Sequence, residues 1–139
     1  MFLLDTNVVS ELRKARSGTA NEGVIAWANE VPAALMYLSV VSLHELEHGV
    51  LLAERSDSTK GQMLRRWLDG SVVPAFAERM IAVDAAVVVR AASLHVPDPA
   101  PFRDALIGAT ALVHGQTVVT RNVRDFERFR GLDTFNPWS

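Results

Sequence analysis

The chain contains no cysteine. Disulfide bridges and thiolate zinc sites are therefore excluded, and any metal must be held by oxygen or imidazole ligands. Long apolar runs are also missing: nothing approaches the roughly 18 apolar residues that a membrane-spanning helix needs. The apolar run at residues 1–4 is too short for a signal peptide, and no basic region precedes it. A soluble cytoplasmic protein is expected. No charge sign dominates, since Lys plus Arg number 14 against 16 Asp plus Glu, a formal net charge of -2. That balance argues neither for nor against a polyanionic partner, although the last quarter is rich in arginine. No repeat, low-complexity tract or linker divides the 139 residues, a length that suits one domain, 1–139. Hydrophobic residues make up 49%, enough to build a core.

What is present begins with Met1-Phe-Leu-Leu-Asp5-Thr6-Asn7. The apolar run is too short for a helix but long enough for a buried strand. It ends at Asp5, and Thr6 is placed to cap a helix reaching about residue 13. Further strands are expected at residues 35–38, 80–83 and 117–119. A helix over 21–30 has Asn21 as its cap. Ser42 and Glu45 have the S-x-x-E spacing of a capping box, and Leu43, Leu46, Val50 and Ala53 continue that helix on one face. The next carries Met63, Leu64, Trp67 and Leu68 and stops at Gly70. Val72-Val73-Pro74 reads as an extended connection because of its proline. Asp84 caps another helix, and a last long one runs over 102–114 to Gly115. Residues 123–129 read as a short helix and 132–138 as an extended tail. Strands alternating with helices predict an α/β fold, a three-layer α/β/α sandwich around a mainly parallel sheet.

Four acidic settings stand out. Asp5 ends the first strand, Glu45 lies on the first turn after the second, Asp104 opens the 102–114 helix, and Asp125 follows the last strand near Asn122. Singly, each has an ordinary explanation as a helix cap, a first-turn acid worth roughly 0.3–1 kcal/mol, or a surface acid paired with Arg121 or Arg128. Together they gather at one edge of the expected sheet, where ligands of parallel sheets lie. Gly49 and Gly108, each four residues after an acid, would leave bare helix surface beside the carboxylates. Clustered like charges repel unless a cation neutralises them. Carboxylate, amide and hydroxyl oxygens are what Mg²⁺ or Mn²⁺ prefers, and such an ion promotes phosphodiester hydrolysis.

Leu3-Leu-Asp5-Thr6-Asn7-Val8, Leu38-Ser-Val-Val-Ser42-Leu-His-Glu45-Leu, Asp104-Ala-Leu-Ile107-Gly-Ala-Thr-Ala, Val119-Thr120-Arg121-Asn122-Val-Arg-Asp125-Phe126 and Phe135-Asn-Pro137-Trp138 follow in order along the chain. This set resembles the PIN-domain VapC toxins of type II toxin–antitoxin modules, of the FitB-like kind. The resemblance implies a PIN-like fold, a Mg²⁺- or Mn²⁺-dependent endoribonuclease, a VapB-like antitoxin partner and a homodimer. Carried over by motif, Asp5, Glu45 and Asp104 match three metal-binding acids. FitB-like sequences have Asp at the position of Asn122, whereas other members read T-R-N-x-x-D-F, as here. Asp125 is then the fourth acid, supported by Thr6, Asn7, Thr120 and Asn122.

Arg103, Arg121 and Arg124, with Arg128 and Arg130, flank the expected acidic edge as phosphate contacts or as members of surface ion pairs. His44-Glu45-Leu-Glu-His48 has the H-E-x-x-H spacing of a zinc protease, without a downstream third ligand. A haloacid-dehalogenase phosphotransferase needs an acid where Asn7 stands. Trp27, Trp67 and Trp138 read as packing residues. Val9, Leu12, Leu51 and Leu52 are candidates for the antitoxin surface. The alternative function is an RNA- or antitoxin-binding protein with weak or no catalysis.

Overall fold

A computed structural model describes residues 1–139. Phe2–Leu4 (β1), Met36–Ser39 (β2), Met80–Ile81 (β3), Thr117–Val119 (β4) and Thr134–Phe135 (β5) form one five-stranded parallel sheet in the order β3-β2-β1-β4-β5. The helices are Thr6–Arg13 (α1), Glu22–Glu30 (α2), Val40–Ser56 (α3), Ser58–Trp67 (α4), Val73–Phe76 (α5), Ala85–Ser93 (α6) and Phe102–His114 (α7).

Successive strand residues point to opposite faces, so a run of two or three apolar residues serves two layers. Leu4 and Val119 join Val8, Val24, Leu38, Leu46 and Val50 in one core. Leu3 and Val118 join Ala91, Ala105, Ile107, Phe126 and Phe129 in the other. Helices therefore cover both faces, as buried parallel sheets require, and the expected three-layer α/β/α sandwich is present.

Helix ends follow local chemistry. The Asn21 side chain accepts from Gly23 and Val24, and Asp84 from Val87, as the sequence suggests. Gly115 closes α7 in the left-handed conformation, φ 64°. Elsewhere the chain departs from expectation. Asp5, not Thr6, caps α1, with its carboxylate accepting from the Thr6 amide at 2.7 Å. Ser39 completes β2 and also caps α3, accepting from the Val41 amide at 3.0 Å. The helix thus starts one turn early and the Ser42–Glu45 capping box does not form. Ser42 is fully buried with no partner for its hydroxyl, and Glu45 sits in the second turn rather than the first. Gly70 does not end a helix: Leu68–Val72 is a π-helical turn that runs into α5. Pro74 fits there because the first helical turn needs no amide donor, so residues 72–74 are helical, not extended. Val123–Phe126 is one 3₁₀ turn, shorter than the expected helix, and the tail contributes β5.

The sheet order reverses at β1. Crossovers run through β2 to β3 on one side, while β4 and β5 lie on the other. The crevice at the carboxyl ends of β1 and β4 is thus a topological switch point, the usual ligand position in such sheets. Asp5 follows β1 directly and Thr120 follows β4.

Candidate active site

The Asp5 amide donates to the Val119 carbonyl at 2.9 Å, extending the β1–β4 pairing up to the acid itself. Asp5 is 1% exposed. The Thr120 hydroxyl donates to Asp5 Oδ2 at 2.7 Å, and accepts from the Asn122 amide at 3.0 Å and Asn7 Nδ2 at 3.5 Å. Asn7 in turn accepts from the Arg121 amide at 3.4 Å. The loop after β4 is thereby tied to the first turn of α1.

Glu45 reaches this point from α3. Its Oε1 accepts from the Thr6 hydroxyl at 2.6 Å. Asp104 comes from the first turn of α7 and is buried. Between the three carboxylates lies the guanidinium of Arg103. Its Nε and Nη2 donate to Glu45 at 2.9 Å each, its Nη1 to Asp104 at 3.1 Å, and its Nη2 also to Asp5. Arg103 is therefore inside the acidic cluster, not a flanking phosphate contact.

Charge and burial compete at these groups. Burial opposes the charge on Arg103, but hydrogen bonds to Glu45 and the nearby Asp5 charge outweigh it and raise its pKa. Burial likewise works against ionised Glu45, yet donation from Arg103 and Thr6 holds its pKa below the usual value. At Asp104 burial wins: despite Arg103, and aided by the charges of Asp125 and Asp5, its pKa is raised.

A cleft of about 570 Å³ opens over these side chains, with Asn122, Asp125 and Arg121 at its rim. All four acids singled out in the sequence line it. Asp125 is exposed and makes no ion pair. Arg121 stacks over Trp138, 5.5 Å from the ring centroid, which brings the terminal N-P-W segment to the cleft. Trp138 is thus more than packing. Ser10, Glu11 and Lys14 also line the cleft, and the sequence reading passed over them. Their signal was the spacing Asn7, Ser10, Glu11, Lys14, an i, i+3, i+4, i+7 polar stripe on α1 opposite Val8, Val9 and Leu12.

Other expected features fall elsewhere. Arg128 binds the carbonyls of Asp98 and Pro99, at 2.8 and 3.1 Å, and no acid. Arg124 and Arg130 are exposed, and Arg124 does not line the cleft. The surface beside Gly49 is open, but that at Gly108 is filled by Phe129, whose ring a Cβ would meet at 2.8 Å. His44 and His48 stand side by side on α3, ring centroids 6.5 Å apart, while the Glu45 between them is engaged by Thr6 and Arg103. No three His, Asp or Glu side chains converge on a single metal position. In the acidic cluster the three carboxylates each pair with the Arg103 guanidinium. Val9 is buried and offers no docking surface, whereas Leu51 and Leu52 are more than half exposed.

The PIN domain family model matches residues 2–132. The chain is 36% identical to the VapC ribonuclease Y4jK of Sinorhizobium fredii, covering 99% of this chain and 98% of that one. It is 35% identical to the toxin FitB of Neisseria gonorrhoeae, covering 99% of each. The crystal structure of FitAcB from Neisseria gonorrhoeae superposes with a TM-score of 0.88 at 34% identity, again over 99% of both chains. The acids gathered at the β1–β4 switch point thus stand in a shared framework, and the chain belongs to the PIN-domain family, in the group that includes VapC and FitB.

Proposed function

We propose that this chain is the toxin of a VapBC-type toxin–antitoxin module and an endoribonuclease that cleaves RNA with Mg²⁺ or Mn²⁺. One observation carries the proposal: Asp5, Glu45 and Asp104, brought by the end of β1, α3 and α7, all engage one cationic group, so the three carboxylates line a single site for positive charge. The oxygen donors lining the cleft, carboxylates with the Asn7 and Asn122 side-chain amides, are hard ligands that fit these ions. Asp5, Glu45 and Asp104 would hold the ion, with Asp125 completing the site from the rim. A bound ion would supply positive charge against the scissile phosphate and acidity to the attacking water.

The chain's own residues do the remainder. Thr120, itself held by Asn7, fixes Asp5, so the central acid does not reorganise during reaction. Arg121 and Lys14 at the cleft walls contact flanking phosphates and offset repulsion between RNA and the acids. A carboxylate of the cleft takes one proton of the attacking water as its oxygen bonds phosphorus, the P–O3′ bond breaks, and the departing O3′ takes up a proton from solvent in the open cleft. The products carry a 3′-hydroxyl and a 5′-phosphate. A VapB-like antitoxin is the protein partner, and Leu51 and Leu52 offer it exposed apolar surface. The working form is a cytoplasmic homodimer.

The test incubates labelled structured RNA with the chain, with and without Mg²⁺ or Mn²⁺, beside Asp5→Asn and Glu45→Gln. Cleavage should need the ion and vanish in both variants. Cleavage that survives both substitutions, or that ignores chelator, overturns the proposal. Asp125→Asn should reduce cleavage more than Asn122→Ala, and the reverse would assign the fourth position to Asn122. A protein that binds RNA without cutting it is the second reading, favoured only by the neutralising position of Arg103. Stoichiometric binding without turnover in the same assay would support it.

A further inference from the structure

The guanidinium of Arg103 lies where the divalent ion of the proposed reaction would have to lie. It bonds to Asp5, Glu45 and Asp104 together, and each of these is a proposed metal ligand. Arg103 comes from the residue beside Asp104 on the first turn of α7, so one short segment supplies both an acid and its competing cation. The side chain is not loosely placed. About a third of it is exposed, and four of its bonds to the carboxylates use three different nitrogens. A planar fork of donors is what holds several carboxylates at once. In this arrangement no three acids converge on one metal position.

A place for the displaced guanidinium exists. A second cavity, about 620 Å³, lies between α3 and α7 and is lined by Val41, His44, His48, Phe102 and Leu106. It shares Glu45 and Arg103 with the acidic cleft. Arg103 thus lines both open spaces, and the second, bounded by α3 and α7 side chains, offers the guanidinium room away from Asp5.

We infer that Arg103 and the divalent ion are alternative occupants of the acidic centre, so that metal must displace the guanidinium from Asp5, Glu45 and Asp104 to bind there. This rests on the metal-dependent reading above. Metal affinity is then reduced by the fraction of molecules whose guanidinium is out. The guanidinium also offsets the mutual repulsion of the three carboxylates.

Metal binding itself, not RNA cleavage, is the readout. Titration calorimetry with Mn²⁺ on wild type, Arg103→Gln and Arg103→Lys should show Arg103→Gln binding at least about tenfold more tightly. Arg103→Lys keeps the charge but loses the fork, and should fall between. If Arg103→Lys binds as weakly as wild type, the effect is simple charge repulsion and the inference is overturned. Direct observation on wild type covers the case in which a variant fails to fold. The Arg103 Nε–H resonance should shift, and its exchange with solvent should quicken, as Mg²⁺ saturates the protein. A resonance unmoved at saturation overturns the inference while leaving the metal site intact. No Mn²⁺ binding by wild type or by either variant overturns this inference and the metal-dependent reading together.

Discussion

Thr120 shows how the site depends on single residues. It is fully buried, and its one hydroxyl donates to Asp5 while accepting from the Asn122 amide. Thr120→Val keeps the shape and removes these two bonds together with the longer one from Asn7 Nδ2. A buried carboxylate oxygen and a backbone amide lose their partner, which costs roughly 1–3 kcal/mol each way such a group is orphaned. Urea denaturation should show a loss in that range, and cleavage should fall with Asp5 no longer held. Unchanged stability would mean that water replaces the hydroxyl. Asp5 and Asp104 were legible at this scale, because one follows a strand end and the other opens a helix, whereas Glu45 stands one turn deeper in its helix than its spacing suggested. Arg103 was not. Adjacent residues on a helix face directions about 100° apart, so nothing in the pair Arg103-Asp104 announces that both turn to the same centre. Only Asp5 and Glu45, 98 and 58 residues earlier, draw the guanidinium inward.

At the scale of elements, α1 contributes a stripe rather than a single ligand. Glu11 accepts from the Asn21 amide at 2.8 Å and from Lys14 at 3.2 Å. The Asn21 bond, reinforced by Lys14 against the effect of burial, lowers its pKa below the usual 4.5. A depressed carboxylate stabilises the fold above its unfolded value, and that contribution is lost as pH falls through the lower folded value. Glu11→Gln should therefore flatten the stability curve below about pH 4.5, read by denaturant midpoints across an acid series. An equally steep acid limb in the variant would assign that slope to other carboxylates. The pairing of α3 with α4 is tighter. A Cβ on Gly61 would meet the Glu54 Cα at 2.5 Å, backbone that cannot step aside. Gly61→Ala should cost roughly 1–3 kcal/mol, as overpacking does, although alanine is the better helix former. Element ends were the least legible part of the sequence. Ser39 and Ser42 are both able caps, and the β-branched Val40-Val41 between them favours strand. What decides is register: β2 pairs only as far as Ser39 with Ile81, and the helix begins there.

At the scale of the molecule, the site exists only when the whole chain is folded. Its parts come from β1, α3, α7 and the turn after β4, spread from Asp5 to Asp125 of 139 residues. The β3-β2-β1-β4-β5 order brings the first and fourth strands together and leaves their carboxyl ends as a crevice. The parallel sheet between two helical layers followed from alternation of strands and helices, but its strand order did not, and β5 escaped notice because two residues, Thr134 and Phe135, carry no periodicity. An ion held across such dispersed carboxylates binds the folded state and has no counterpart site in the unfolded chain. Stability should then rise with the logarithm of free Mg²⁺ above its dissociation constant, by about 2.7 kcal/mol at a hundredfold excess. For a domain of this size each kcal/mol moves Tm by roughly 2–8 °C, so the shift is easily read by calorimetry. Asp5→Asn should abolish the dependence, because Asp5 is the most deeply buried of the three acids. The same substitution without Mg²⁺ leaves Arg103 one carboxylate fewer, with Glu45 and Asp104 still in place. Its thermal midpoint in chelator therefore separates the two roles of Asp5. A midpoint lower than that of wild type in chelator reports the lost partner of Arg103, while a vanished Mg²⁺ dependence reports the lost ligand. If Mg²⁺ raises the midpoints of wild type and Asp5→Asn equally, the ion binds elsewhere and the acidic centre is not its site.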